Sequence, residues 1–517
     1  MKIPIFSAVL ALAMSGASLF ALELNPLFTD HAVLQQELPV PVWGTAKPEQ
    51  KVTVTFGEQE KTANADAEGN WMVILDPLVA SADPAEMKVT AGEKSITISD
   101  VLVGEVWVGS GQSNMGWTVE RTLSGEKAKA AADKGEYEGL RLFKVPVKGE
   151  DERQSKVNAQ WAVPNSSTVA SFSATAFYFG SKLLKDRSVP IGMIQSANGG
   201  TNAFSWINTD TLNNDPIAET IRTYWASTVE NHPAAMKKYE AALAKWKEKV
   251  AAAKKEGKTV EGRAPREPLG PDHVKRPAGH YNAMVAPLQP YAIRGVVWYQ
   301  GEANSRMPFY PGYKDLMLGL VEDWRTDWAT ASDGELEKRN FPFYLVQLPN
   351  FAGGDAGGWP GIREQMLKFW EEGENTGMVV TIDTGDAKDI HPQNKKPVGE
   401  RLAAFARANT YGENIVFSGP IFDSIQIEGD KAVVSFRYVG SGLSSLNGEE
   451  LKYFEIAGAD GEFHPAKAEI KDDKLIVTGE GVSEPRAVRY AWVNNPENPN
   501  FGNKDGFPAS PFRTDSW

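Results

Sequence analysis

The chain of 517 residues is long enough for two to four domains and a large buried core, and its 42% apolar and 23% charged residues are those of a folded globular protein. These proportions exclude a disordered chain, a collagen-like one and a multi-span membrane protein. With 67 acidic against 54 basic residues, the surface repels phosphate backbones, which argues against a nucleic-acid partner. Cysteine is absent, which excludes a thiol nucleophile, thiolate metal sites and disulfides, and six histidines remain for any chemistry that needs imidazole.

At the amino terminus Lys2 precedes an apolar run, Ile3 to Leu22, with small residues interspersed and a break at Leu24–Asn25–Pro26. This pattern predicts an export signal over 1–21 and a secreted or periplasmic protein with no membrane association once the segment is removed. Residues 22–102 read as a β module. Val52–Thr53–Val54–Thr55–Phe56 and Lys94–Ser95–Ile96–Thr97–Ile98 alternate, and turns at Ala67–Glu68–Gly69–Asn70 and Ala91–Gly92–Glu93 separate short runs, as in a small sandwich.

From there the pattern changes. Val101–Val108, Val189–Ile194, Gly295–Tyr299, Phe343–Leu348 and Met378–Ile382 are nearly continuous apolar runs, the signature of strands buried on both faces of a parallel sheet. Helical spacing appears between and after them, over Ser173–Asp186, Tyr313–Trp328, Arg363–Trp370 and Val398–Ala408. The alternation predicts an α/β domain with a doubly wound parallel sheet over 103–414. A Lys- and Glu-rich insertion over 217–278 interrupts it, with Met236, Tyr239, Leu243, Trp246 and Val250 on one helix face; it reads as a surface excursion packed on the sheet, with a lid or partner-binding hairpin as the functional alternative. Residues 415–517 return to short alternating strands, a carboxyl-terminal β module packing back on the central one.

Ligands of open α/β sheets bind beyond the carboxyl ends of the strands, so the segments that follow the apolar runs carry the candidate chemistry. After the first stands Gly109–Ser110–Gly111–Gln112–Ser113–Asn114–Met115, which presents Ser113 at a strand-to-helix corner; Met115 occupies the place of the second glycine of a G-x-S-x-G elbow. After the second stands Asn198–Gly199–Gly200–Thr201, whose glycines let backbone N–H groups approach a ligand. After the third stands Gln300–Gly301–Glu302–Ala303–Asn304, an amide and a carboxylate at the same sheet edge. After the last stands Asp386–Ala387–Lys388–Asp389–Ile390–His391, where imidazole is a base for a serine hydroxyl and Asp389 or Asp386 can fix its tautomer. Read singly, each segment is also an ordinary polar turn or helix cap; together they point to one place.

These four segments resemble the sialate O-acetylesterase family of the SGNH-hydrolase superfamily. The likeness is carried by Gly104–Glu105–Val106–Trp107, Gly111–Gln112–Ser113–Asn114–Met115, Gly199–Gly200–Thr201, Gly295–Val296–Val297–Trp298–Tyr299–Gln300–Gly301–Glu302, Asp389–Ile390–His391–Pro392 with Val398–Gly399–Glu400–Arg401–Leu402–Ala403, Tyr490–Ala491–Trp492 and Pro508–Asp515. The resemblance implies a flavodoxin-like α/β/α domain flanked by β modules and a secreted serine esterase that removes acetyl groups from sugar hydroxyls. Ser113 is then the nucleophile and His391 the base. Many SGNH enzymes carry an Asp three residues before the His, where this chain has Lys388; Asp389 is the expected third member and Glu302 the alternative, as in some related acetyl-xylan esterases. The expected oxyanion donors are the Ser113 and Gly200 N–H groups and the Gln300 side chain, which stands where the superfamily has an asparagine. Gln112, Asn114 and Asn304 are expected at the substrate, an O-acetylated carbohydrate, with no metal or organic cofactor. A non-catalytic carbohydrate-binding protein and a short-chain lipase-like esterase on the same scaffold are the competing expectations.

Overall fold

A computed structural model describes residues 21–260, 262–332, 340–355 and 357–517. The export segment expected over 1–21 lies, apart from Ala21, outside them. Among the described residues no helix is long and apolar enough to cross a membrane.

The alternating runs near the amino terminus form strands with one buried face. Val52, Val54 and Phe56 are buried while Thr53 and Thr55 are half-buried, and Trp71, Val73 and Leu75 repeat the pattern on a second, three-stranded sheet. This follows from the two-residue repeat of a strand. The strand Lys94–Gly111 (β1) then passes from one environment to another. Its first part pairs antiparallel with Ser81–Ala91 and alternates in burial; from Val101 onward every residue is buried, and from Gly104 onward its partners are parallel.

The central sheet continues with Leu140–Lys144 (β2), Ile191–Ala197 (β3), Gly295–Tyr299 (β4), Phe343–Val346 (β5) and Thr376–Val379 (β6). Its spatial order is β2-β3-β1-β4-β5-β6, all parallel, with Trp161–Ala162 antiparallel on the outer edge beside β2. Strands β3, β4, β5 and β6 are buried throughout, as expected of strands covered on both faces. The last strand begins two residues before the apolar run Met378–Ile382 and ends at Val379, so the run continues into the loop that carries His391. The chain runs from β1 to β2 and β3 on one side and crosses to β4 on the other. The crevice where an open sheet takes its ligand therefore falls at the carboxyl end of β1.

Five longer helices accompany the sheet: Ala174–Arg187 (α1), Glu219–Lys255 (α2), Tyr313–Thr330 (α3), Gly358–Glu372 (α4) and Lys396–Asn409 (α5). Adjacent residues of one strand point to opposite faces, and β5 shows which helices lie where. Phe343 meets Trp324 of α3 and Phe369 of α4, whereas Tyr344 meets Phe405 of α5 and Trp107 of β1, which itself meets Phe179 of α1. Helices thus cover both faces. On the second face α5 and α1 approach so closely that a Cβ on Gly399 would lie 2.6 Å from the Phe179 backbone nitrogen.

The inserted α2 packs only at its start. Ile221 is its one buried residue, and Tyr224 meets Phe309 edge to face at 4.9 Å. Beyond that the helix stands away from the sheet, and its apolar face is half-covered by the returning segment: His232 Nδ1 contacts Leu269 O at 3.0 Å, and Gly262 lies beside Trp246. This differs from a helix packed along its length on the sheet, because its other faces carry Lys and Glu and hold too few apolar side chains to bury.

From Ile421 the chain forms a seven-stranded antiparallel sheet around Val434, Ile456, Leu475, Val477 and Tyr490. It is joined to the central domain by a fully buried arginine of α4. The Arg363 guanidinium donates to Leu348 O and Pro349 O after β5 and to Val493 O and Asn494 O of the terminal segment.

Candidate active site

Ser113 opens the short helix Ser113–Gly116 directly after β1. The turn requires glycine at 111, where φ is +130° and a Cβ would lie 2.3 Å from Tyr299 O of the neighbouring strand. His391 arrives from the loop after β6. There Asp386 Oδ1 accepts the Lys388 and Asp389 N–H groups, and Asp389 Oδ1 accepts the His391 N–H at 2.9 Å. These side-chain turns present the imidazole to the serine: His391 Nε2 lies 2.8 Å from Ser113 Oγ, although 278 residues separate them in sequence. Asp389 Oδ1 lies 3.5 Å from His391 Nδ1. With the ring proton on Nδ1, facing Asp389, Nε2 accepts from the serine hydroxyl.

Partial burial holds the imidazole below its ordinary pKa; Asp389 opposes this, and the Lys395 and Arg121 cations reinforce it. A neutral ring at neutral pH can accept a proton. Trp117 stacks on the His391 ring at 4.7 Å with 10° between planes, and the Arg121 guanidinium sits 4.3 Å above Trp117. No motif pointed to this stack, since it joins the β1 corner to a loop far along the chain.

Opposite, the glycine pair presses on the serine: a Cβ on Gly199 would lie 3.3 Å from Ser113 Cβ. Gly200 has φ +66°, and the Lys275 ammonium, brought back by the end of the insertion, lies 3.2 Å from where its Cβ would be. Asn198 is held by His280: His280 Nδ1 donates to Lys148 O, which leaves Nε2 to accept from Asn198 Nδ2 at 2.9 Å. Burial pushes His280 down to about 4, so it is a neutral structural group.

The segment after β4 differs from its expected use. The Gln300 amide is turned inward, its Nε2 facing Gln112 Oε1, Thr201 O and Asn304 Oδ1 and its Oε1 accepting from the Tyr313 hydroxyl. It has no N–H left for an oxyanion in this structure. Gln112 Oε1 also accepts from Ala303 N, so Gln112 ties β1 to this loop and does not face outward. Asn304 Oδ1 accepts from Ala203 N, while its Nδ2 is buried with no partner among the described residues. Glu302, the alternative acid, hydrogen-bonds Asn114 and not His391. Asn114 is fully buried, which separates it from the expected substrate role. Sequence patterns place such residues at a strand end but do not show whether an amide points out or in. A grouping with metal-ligand chemistry, Asp460, Glu462 and His464, is exposed on the carboxyl-terminal sheet.

The chain is 29% identical to the sialate O-acetylesterase of Mus musculus, over 95% of this chain and 94% of that protein, and 29% identical to that of Homo sapiens, over 93% and 90%. Among solved structures, a carbohydrate acetylesterase from Xanthomonas citri superposes with a TM-score of 0.79 at 34% identity, covering 96% of this chain and 100% of that one. No protein-family profile matches the chain. A parallel α/β sheet with a serine–histidine pair at its carboxyl edge, alike along its whole length to these proteins, defines an esterase. The chain belongs to a family of carbohydrate acetylesterases and is similar along most of its length to sialate O-acetylesterases.

Proposed function

We propose that the protein is an exported carbohydrate O-acetylesterase of SGNH type that works by a Ser113–His391–Asp389 acyl-enzyme mechanism. The observation that carries this reading is the 2.8 Å contact between Ser113 Oγ and His391 Nε2 at the carboxyl end of the strand from which the strand order runs to either side. Without the edge strand β2, the order β3-β1-β4-β5-β6 is that of a flavodoxin-like sheet, which supports the SGNH layout. We divide the chain into a β module over 22–102, the esterase domain over 103–414 with its insertion at 217–278, and a second β module over 415–517, with the strand Lys94–Gly111 running through the first boundary.

In the first step Ser113 Oγ attacks the acetyl carbonyl carbon and its proton passes to His391 Nε2. The tetrahedral intermediate collapses, the C–O bond to the sugar breaks, and His391 returns the proton to the departing alcohol. Water then attacks the acetyl-serine with His391 again as base, and acetate leaves as Ser113 regains its proton. Asp389 orients the ring and balances the imidazolium. The Ser113 and Gly200 N–H groups are the backbone donors to the oxyanion. The Gln300 amide, already spent on Gln112, Thr201 and Asn304, supplies no side-chain donor in this arrangement. Each such donor typically supplies about 3 kcal/mol in the transition state.

The test is acetate release from a panel of O-acetylated glycans, with p-nitrophenyl esters of increasing acyl length beside it. Ser113→Ala is expected to abolish both activities while the far-ultraviolet spectrum is unchanged. Turnover at the wild-type rate in that variant rejects the mechanism, and a preference for long acyl chains favours the lipase-like reading.

A further inference from the structure

Beneath the serine lies a buried polar chain that the reaction does not use. Asn114, next to the nucleophile, spends its whole amide inside the protein. Nδ2 donates to Glu302 Oε1 at 2.5 Å and to Ile390 O at 3.0 Å, and Oδ1 accepts from Lys395 Nζ at 2.5 Å. Lys395 is fully buried, and its ammonium also lies 5.0 Å from the centre of the Tyr299 ring. The second oxygen of Glu302 has no partner among the described residues. Two charges shielded from water and joined through one neutral amide are an unusual arrangement, since removing an ion from water disfavours its charged form. Burial accordingly raises the Glu302 carboxyl and pushes Lys395 down to about 7.

The geometry has a specific consequence. Asn114 is one residue from Ser113, and Ile390 is one residue from His391. The two reacting groups come from different ends of the chain, and a single amide ties their neighbours together. An amide can ordinarily turn over and exchange its oxygen and nitrogen. With Lys395 as the ammonium and Glu302 as the carboxylate, a donor-only group faces the oxygen, while a carboxylate and a carbonyl, which accept, face the nitrogen. A flipped amide would set N–H against the ammonium and oxygen against two oxygens. We infer that Lys395 and Glu302 are positioning residues that lock the orientation of Asn114 and thereby hold Ser113 and His391 at reacting distance. This assigns Glu302 to the serine corner and not to the imidazole, and it rests on the serine–histidine reading given above.

The experiment measures kcat and KM for p-nitrophenyl acetate and the rate at which a fluorophosphonate labels Ser113, on full-length variants whose thermal midpoints are recorded. Lys395→Met, of similar length and without charge, is expected to lower kcat and the labelling rate at least tenfold with KM within twofold of wild type. Glu302→Leu is expected to do the same. Glu302→Gln keeps a carbonyl oxygen for Asn114 and is expected to stay within tenfold of wild type, whereas a triad acid changed in this way would collapse the rate. The double variant Lys395→Met/Glu302→Leu is expected to be no slower than the slower single one, because both act through the same amide. A folded Lys395→Met with wild-type kcat, a multiplicative double variant, or a collapse in Glu302→Gln overturns the inference. If Lys395→Met does not fold, the Glu302→Leu and Glu302→Gln pair decides by the same criteria. Failure of Ser113→Ala to abolish turnover is a separate result that rejects the underlying mechanism.

Discussion

His391 can act as a base because its surroundings favour the neutral ring. Burial is the largest influence, Asp389 works against it, and Lys395 and Arg121 work with it. Below its pKa the ring is an imidazolium and cannot take the serine proton, so kcat/KM is expected to rise with pH along an acidic limb centred below the ordinary histidine value. Arg121→Ala removes a cation and is expected to move that limb upward. Asp389→Asn removes the carboxylate that favours the imidazolium, so the limb is expected to move downward while kcat falls by about 10- to 10⁴-fold, the larger value applying if Asp389 alone fixes the tautomer. The pH profiles of the two variants beside wild type check both signs. At this scale the serine, the histidine and the nearby aspartate were legible in the sequence because each follows an apolar run. Lys395 and Trp117 were not, since no local pattern marks a lysine that will be buried or a tryptophan that will stack on a distant ring.

Among the elements, buried strands announced themselves by continuous apolar runs, and helices α1 and α3 by their spacing. Strand β2 did not, because Arg141 and Lys144 interrupt its apolar residues; Arg141 is buried there by pairing with Asp100. The packing of α1 on α5 depends on Gly399, where a side chain would meet the backbone of the facing helix. Gly399→Val is expected to destabilise the fold by about 2 kcal/mol through overpacking, read from the midpoint of urea unfolding. Helix α2 shows the opposite case. Its apolar stripe was visible, but the stripe does not say what covers it, and most of the helix stands clear of the sheet.

For the whole molecule, the terminal β sheet and the central domain are one packed body. Arg363 bridges them through four carbonyl oxygens, Gln347 Nε2 donates to Ser510 Oγ, and Arg513 pairs with Glu364 at 2.9 Å. The closing motif Pro508–Asp515, part of the resemblance read from sequence, is thus a docking segment between sheet and helix α4. Arg363→Met takes the guanidinium from all four carbonyls; Pro349 O keeps the Trp359 indole N–H and Asn494 O keeps the Phe351 N–H, while Leu348 O and Val493 O lose their donor, and the change is expected to cost on the order of 3 kcal/mol. Denaturant unfolding measures the loss, and faster proteolysis within residues 493–500 would locate it in the terminal segment.

The fully buried strands, helices α1 and α3, the strand-end polar segments and the absence of thiol chemistry follow from residue types and their periodicity along the chain, which are local properties. Tertiary structure alone decided which polar groups face the reaction and which are consumed inside. Gln300 and Gln112 hydrogen-bond each other across 188 positions, and Asn114 is held by partners 188, 276 and 281 positions away. A buried amide points toward whatever partners satisfy it, and those partners are brought near only by folding.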